Sequence, residues 1–164
     1  MGKGKTLSAV RYLYKWYRKG FTIYSNIHLK FPHVYIGMQK LVDYANAETY
    51  LDKSIVFLDE AHTLLDSRNS ASKRNKVLSY FIVLTRKMGC NLVYTTQRYH
   101  QIDKRLRDNS DIVILCNTKE LKGEKYTHNL IMIKEEFTII TKHDTFKSSD
   151  YYGLYNTKEL VKIE

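Results

Sequence analysis

The strongest constraint on the fold is the stretch Ile55-Val56-Phe57-Leu58-Asp59-Glu60-Ala61-His62. Four apolar residues, β-branched or aromatic apart from Leu58, run straight into two adjacent carboxylates. A short apolar run without polar alternation reads as a strand buried on both faces, the kind found in parallel sheets. Open α/β sheets bind their ligands beyond the carboxyl ends of such strands, which is where Asp59 and Glu60 fall. One carboxylate there can hold a magnesium ion while its neighbour orients a water, the division of labour that nucleotide hydrolysis needs. We therefore take Asp59 as a metal-holding residue and Glu60 as the general base. The plainer alternative is a strand end at which Asp59 merely caps a turn.

The chain opens with Met1-Gly2-Lys3-Gly4-Lys5-Thr6, the back half of a phosphate-binding loop. A helix is expected at once over residues 5–19, because Leu7, Val10, Tyr14 and Tyr17 fall at helical spacing and Gly20 supplies a stop. Backbone N–H groups and the helix dipole would then face an anion. Gly2, Gly4, Lys5 and Thr6 are the candidate nucleotide-binding residues. Lys5 would reach the β- and γ-phosphates, and Thr6 would ligate magnesium. The alternative is a disordered basic terminus. The front of the loop and the strand that should lead into it would lie upstream of Met1, so Met1 is expected to be an internal residue.

Further along, the sequence suggests a strand from Phe21 to Ile27, a break at Phe31-Pro32-His33, a helix over 37–51 and the central strand Ser54–Leu58. A polar loop at 66–70 leads to a long helix over 71–88, with Gly89 as its cap. A strand over 91–95 ends at Thr96-Gln97. A short basic helix or turn covers 99–108, a strand runs from Asp111 to Cys116, and Asn129 to Lys142 reads as a hairpin or two strands around Lys134-Glu135-Glu136. A last helical turn is expected from Thr157. Strands alternating with helices predict a mainly parallel sheet flanked by helices, a three-layer α/β fold of the P-loop nucleotide-hydrolase type. Residues 1–164 would form a single domain, with the strands of 117–164 completing or extending the sheet.

Composition narrows the partners. Lys and Arg outnumber Asp and Glu by 27 to 17, a net charge of +10, which points to an anionic partner, nucleic acid before a membrane surface. Two clusters, Lys73, Arg74 and Lys76, and Lys104, Arg105 and Arg107, could line a channel for a nucleic-acid backbone, contacting phosphates without reading sequence. Ordinary solvated helix faces explain them equally well. Gln97, at the end of its strand, would sit beside the γ-phosphate and the attacking water. Arg86, closing the long helix, would reach a neighbouring subunit's nucleotide and stabilise the transferring phosphoryl group. Arg68, Arg98, Arg105 and Arg107 compete for that role. The sequence has no apolar run long enough for a transmembrane helix and no apolar signal core, so a cytoplasmic location is expected. The two cysteines, Cys90 and Cys116, read as small buried hydrophobes, and the six histidines show no metal-ligand spacing.

Residues 2–116 resemble the FtsK–HerA superfamily of P-loop ATPases. The nearest likeness is to viral genome-packaging ATPases and to the N-terminal domain of zonular occludens toxin (Zot)-like phage assembly proteins. The stretches that carry it are Gly2-Lys3-Gly4-Lys5-Thr6, Thr22 to Ile27, Ile55 to His62, Arg86-Lys87-Met88-Gly89 leading to Thr95-Thr96-Gln97-Arg98, and Ile102 to Arg107. Ser25-Asn26-Ile27 resembles the Zot side. The resemblance implies a motor that hydrolyses ATP with Mg2+ and moves or extrudes DNA, commonly as a ring of six with active sites between subunits. Two departures stand out: Zot-like proteins usually carry a transmembrane segment after this domain, and the front of the phosphate loop is missing here.

The expectation is thus an ATP-hydrolysing motor of viral or mobile-element origin that translocates or packages double-stranded DNA, in contact with capsid or virion-assembly proteins. A Zot-like ATPase for export of filamentous particles, and a non-catalytic DNA-binding scaffold with a degenerate phosphate loop, are the alternatives. Sequencing the native amino terminus checks the first-strand expectation. Residues upstream of Met1 are the expected result, and a mature protein starting at Met1 would sink it.

Overall fold

The computed structural model describes residues 3–47, 49–61, 85, 88–102 and 104–156. In chain order these form α1 (Lys5–Tyr17), β1 (Thr22–Ser25), β2 (Val34–Tyr35), α2 (Met38–Asn46), β3 (Ser54–Leu58) and β4 (Cys90–Tyr94). A 3-10 turn (Tyr99–Gln101), α3 (Lys104–Asp108), β5 (Ile112–Leu121), β6 (Glu124–Lys134), β7 (Ile139–Lys147) and a 3-10 segment (Ser148–Leu154) follow.

The first four strands make one parallel sheet in the order β2-β1-β3-β4. Every residue of β3 is buried, as its unbroken apolar run requires. Its side chains alternate between two cores. Ile55 and Phe57 pack with Val10 and Leu13 of α1 and with Ile23 of β1. Val56 and Leu58 pack with Leu41 of α2, Ile102 and Leu106 of α3 on the other face. The mixed α/β fold with a parallel sheet between helices is thus as expected. The short β2 follows the Phe31-Pro32-His33 break, where the sequence signals only irregular chain. The long helix expected over 71–88 and the turn expected from Thr157 lie outside the described residues, apart from Thr85 and Met88 of the former.

The carboxyl-terminal strands differ from expectation. They were expected to complete or extend the parallel sheet. Instead β5, β6 and β7 pair with one another in a separate antiparallel sheet. The reason lies in their connections. Leu121 pairs directly with Glu124 across Lys122-Gly123, and both turn residues have positive φ, 51° and 78°. Such a two-residue turn fixes a hairpin. Ile139 likewise pairs with Lys134 across a four-residue turn, and tight turns cannot make the crossover that parallel pairing demands.

This second sheet lies against α1. Ser8 donates to Asn129 Oδ1 at 2.9 Å. The Arg11 guanidinium and the Tyr12 hydroxyl both donate to the Asp144 carboxylate, and Arg11 also lies 4.4 Å from the centroid of the Phe146 ring. Burial by itself would raise the Asp144 pKa, but the hydrogen bonds from Arg11 and Tyr12 outweigh it and hold the carboxyl below its ordinary 3.8. Asp144 therefore contributes stability that is present above that ordinary value and is lost as the pH falls through its lower folded value.

Asp144→Ala leaves the Arg11 side chain, only 9% exposed, without its ion-pair partner. A loss of about 2–3 kcal/mol is expected, below the 3–5 of a fully enclosed pair. Chemical denaturation should show it at neutral pH, with the gap to the native chain narrowing in acid.

Candidate active site

The site is built at the carboxyl ends of β1, β3 and β4. It starts from Asp59, the first residue after β3, which is buried. Two neighbours fix its backbone. Asp59 N–H donates to Asn26 Oδ1 at 2.7 Å, and Asn26 Nδ2 donates to the Asp59 carbonyl at 3.1 Å. Asn26 directly follows β1 as Asp59 follows β3, so this two-way amide grip ties the ends of two parallel strands together.

The Asp59 carboxylate is held from both sides. Thr6 Oγ1, in the first turn of α1, lies 2.9 and 3.2 Å from the two carboxylate oxygens. Thr95, just after β4, donates its hydroxyl to Asp59 Oδ1 at 2.5 Å. The Asp59 pKa is raised. Burial is the main cause and the neighbouring Glu60 charge adds to it, while the hydrogen bonds from Thr95 and Thr6 pull the other way.

Glu60 adopts a left-handed backbone, φ 49°, uncommon for a side chain of this kind. Thr95 over-determines it. The Glu60 N–H donates to Thr95 Oγ1 at 2.9 Å, and the Ala61 N–H donates to the Thr95 carbonyl at 2.8 Å. The turn aims the Glu60 carboxylate at Gln97, whose Nε2 donates to Glu60 Oε1 at 2.9 Å. The structure thus brings together Thr6, Asp59, Glu60 and Gln97, four of the residues singled out by sequence.

The candidate phosphate end lies at the start of α1. Gly4 is the N-cap, with φ 79° and no side-chain cap, and no acidic residue occupies the first turn. The first intrahelical bond runs from Ser8 N–H to the Gly4 carbonyl at 2.8 Å, so the N–H groups of the preceding turn have no intrahelical acceptor. Only glycine fits here. A Cβ on Gly4 would come within 2.9 Å of Thr127 Cγ2 and 3.1 Å of Thr118 Oγ1.

These residues fit a nucleotide with magnesium. Hard oxygen donors, the Thr6 hydroxyl and the Asp59 carboxylate, already converge, and a magnesium ion takes few protein ligands, with water and phosphate supplying the rest. No cluster of three or more His, Cys, Asp or Glu suited to a metal exists among the described residues.

Residues 1–118 match the model of the ATPase family associated with various cellular activities (AAA). The chain belongs to this AAA family. The family is one of ATPases. Among curated relatives, this AAA chain is 24% identical over 200 aligned positions to the Gene 1 protein of Salmonella phage IKe. It is 25% identical over 201 positions to the Gene 1 protein of Enterobacteria phage I2-2. Each alignment covers 98% of this chain and 55% of the relative, so the chain spans about half the length of the curated relatives it matches. No solved structure matches.

Other candidates fall elsewhere. Gly2, Arg86, Lys73, Arg74 and Lys76 lie outside the described residues. Lys5 is half-buried at the helix start. Lys104 and Arg105 are exposed on α3, whereas Arg107 is half-buried, its guanidinium 5.7 Å from the Tyr99 ring centroid. Cys90 is buried and Cys116 half-buried, and both are free thiols. No described helix is long and apolar enough to cross a membrane.

Sequence reasoning missed the supports. The sequence presents Thr95 and Asn26 only as strand residues and as parts of a family likeness, with no role in the site. Tyr155 was missed altogether. It pairs with Leu29 in an antiparallel bridge, and Lys30 N–H donates to the Leu154 carbonyl at 2.7 Å. Burial first, and the nearby Asp59 charge second, push its phenol up to about 12. No local signal in the sequence brings residue 155 to this site; only the return of the chain after β7 does.

Thr95→Val keeps the shape but removes a donor to Asp59 and the acceptor for Glu60 N–H. An unsatisfied buried amide costs about 1–3 kcal/mol, and the expected outcome is a fall in kcat larger than any change in KM. Thr95→Ser should restore most of it in steady-state assays.

Proposed function

We propose that the chain is the ATPase motor unit of a phage assembly protein, of the Zot-like kind within the FtsK–HerA branch, which uses ATP turnover to drive virion assembly or export. The observation that carries this reading is the convergence of Thr6, Asp59, Glu60 and Gln97 at one end of a parallel sheet, beside an uncapped glycine-led helix start. The likeness to phage Gene 1 proteins along 98% of the chain supports the setting.

When bound, magnesium would neutralise charge on the transferring phosphoryl group. The chain's own residues have separable tasks. Lys5 and the free N–H groups of α1 bind phosphate oxygens. Thr6 and Asp59 hold the metal, which relieves the cost of an ionised carboxylate in a buried place. Glu60 takes the proton of the attacking water. Gln97 holds the Glu60 carboxylate in its resting direction and is placed to exchange that bond for one to water or phosphate. Arg86 of a neighbouring subunit would complete the site in a ring of six.

A second reading, translocation or packaging of double-stranded DNA, is favoured by the net charge of +10 and by exposed Lys104 and Arg105. Lys73, Arg74 and Lys76 would join them in a phosphate-tracking channel. Capsid or virion-assembly proteins are the expected partners in either case, with the host cytoplasm as the place of action.

Glu60→Gln separates a motor from a scaffold. Turnover should fall about 10²–10⁴-fold, the usual contribution of a general base, while equilibrium binding of Mg·ATP is retained. Unchanged turnover, or none in the native chain, would overturn the enzymatic role. Stimulation of turnover by double-stranded DNA would favour the second reading over the first.

A further inference from the structure

A cleft of about 430 Å³ opens where the β5–β6 hairpin meets the 3-10 segment after β7. Gly123, Glu124, Lys125, Lys147, Ser149 and Tyr152 line it. Its walls are tied down. Lys147 Nζ donates to one carboxylate oxygen of Glu124, and the Tyr126 hydroxyl donates to the other at 3.1 Å. Thr127 Oγ1 and Ser148 Oγ share a buried hydrogen bond of 2.8 Å, which pins the 3-10 segment to β6. Tyr151 of that segment meets the Phe146 ring edge-on at 5.3 Å, and the Arg11 guanidinium lies 5.4 Å from the Tyr151 ring centroid. The cleft is thus held against α1, the helix whose start forms the candidate phosphate end.

The path from one to the other is short. Thr127 serves both. Its side chain lies against Gly4, where a Cβ would come within 2.9 Å of Thr127 Cγ2. Its hydroxyl bonds Ser148, the neighbour of Ser149. Lys125 stands two residues before Thr127 on β6, so it shares the same face of the sheet. Two residues of strand span about 7 Å, the scale of a ribose with one phosphate. A nucleotide with its outer phosphates at α1 would therefore carry its sugar and base past Lys125 into the cleft.

The lining fits that occupant. Tyr152 is 44% exposed, which leaves ring surface for a base to stack on, and stacking on an aromatic ring accepts any base. The Glu124 carboxylate accepts hydrogen bonds, and the Ser149 hydroxyl both donates and accepts. Amino and hydroxyl groups of a nucleoside match them. Two lysines against one carboxylate leave the cleft positive, as a ligand bearing phosphate requires. No Leu, Ile, Val or Met is among the lining residues, so a lipid chain or an apolar peptide would gain little by burial there.

We infer that this cleft is the nucleoside subsite of the candidate active site, in which Tyr152 stacks on the base, Glu124 and Ser149 hold its polar groups or the ribose hydroxyls, and Lys125 meets the innermost phosphate. The subsite rests on the ATPase reading, and every residue lining it lies beyond the stretch 1–118 that matches the family model. Isothermal titration of the full chain with Mg·ATP and, separately, with magnesium tripolyphosphate, which has the phosphates but no nucleoside, tests it. The native chain should bind Mg·ATP more tightly than tripolyphosphate. Tyr152→Ala should weaken Mg·ATP binding on the order of tenfold, the loss of one stacked base, and leave tripolyphosphate unchanged. Tyr152→Phe, which keeps the ring, should bind both as the native chain does. If circular dichroism shows Tyr152→Ala to be misfolded, Ser149→Leu, at an exposed position, narrows the cleft and should give the same selective loss. Equal affinity of the native chain for the two ligands, or native-like ATP binding by folded Tyr152→Ala, would overturn the subsite and leave the ATPase reading standing. Equal weakening of both ligands by Tyr152→Ala would overturn it in favour of a general anion cleft. A native chain that binds neither ligand would overturn both readings.

Discussion

An ionisable carboxylate buried at the end of a central strand is the constraint that the rest of this structure serves. Leaving a charge in such a place is costly unless it is hydrogen-bonded or holds a metal. Asp59 meets that condition through hydroxyls from Thr6 and Thr95, which reach it from α1 and from β4. The same two hydroxyls thereby fix where α1 starts and where β4 ends relative to β3. Burial still keeps the Asp59 pKa above its ordinary value, so the charged form stays costly in the folded chain despite the two hydroxyls.

The turn at Glu60 stores strain for a purpose. A left-handed backbone at a non-glycine residue costs about 1–3 kcal/mol and persists only when surroundings over-determine it. Thr95 does so, receiving N–H groups from Glu60 and Ala61 on its hydroxyl and carbonyl. The return is direction. The carboxylate of Glu60 leaves the strand axis and meets Gln97 rather than the crowded core. A relaxed extended backbone at this point would carry the side chain along the sheet instead.

The antiparallel sheet gives the nucleotide end its second wall. Thr127 and Thr118 lie against Gly4, while Asn129 and Asp144 engage Ser8, Arg11 and Tyr12. One helix is thus shared by two sheets, one with the candidate-site strand ends and one with an exposed hairpin tip. The chain then returns from β7 to bridge Leu29 with Tyr155, close to Asp59.

Sequence by itself determined the central strand, the carboxylates that end it, the helix after Lys5 and the parallel α/β sheet. Each rests on local information: an unbroken apolar run, helical spacing, a glycine where φ must be positive. It also marked Thr6, Asp59, Glu60 and Gln97 as chemistry, because those residue types at those strand and helix ends have few other uses together. Only tertiary structure decided that Thr95 and Asn26 support the site, since a threonine or asparagine at a strand end is ordinary until its partner, 36 or 33 residues away, is known. Only tertiary structure moved the last strands out of the parallel sheet. Their alternating and apolar residues allow either sheet, and the choice was made by tight turns and by the polar contacts that α1 offers to Asn129 and Asp144.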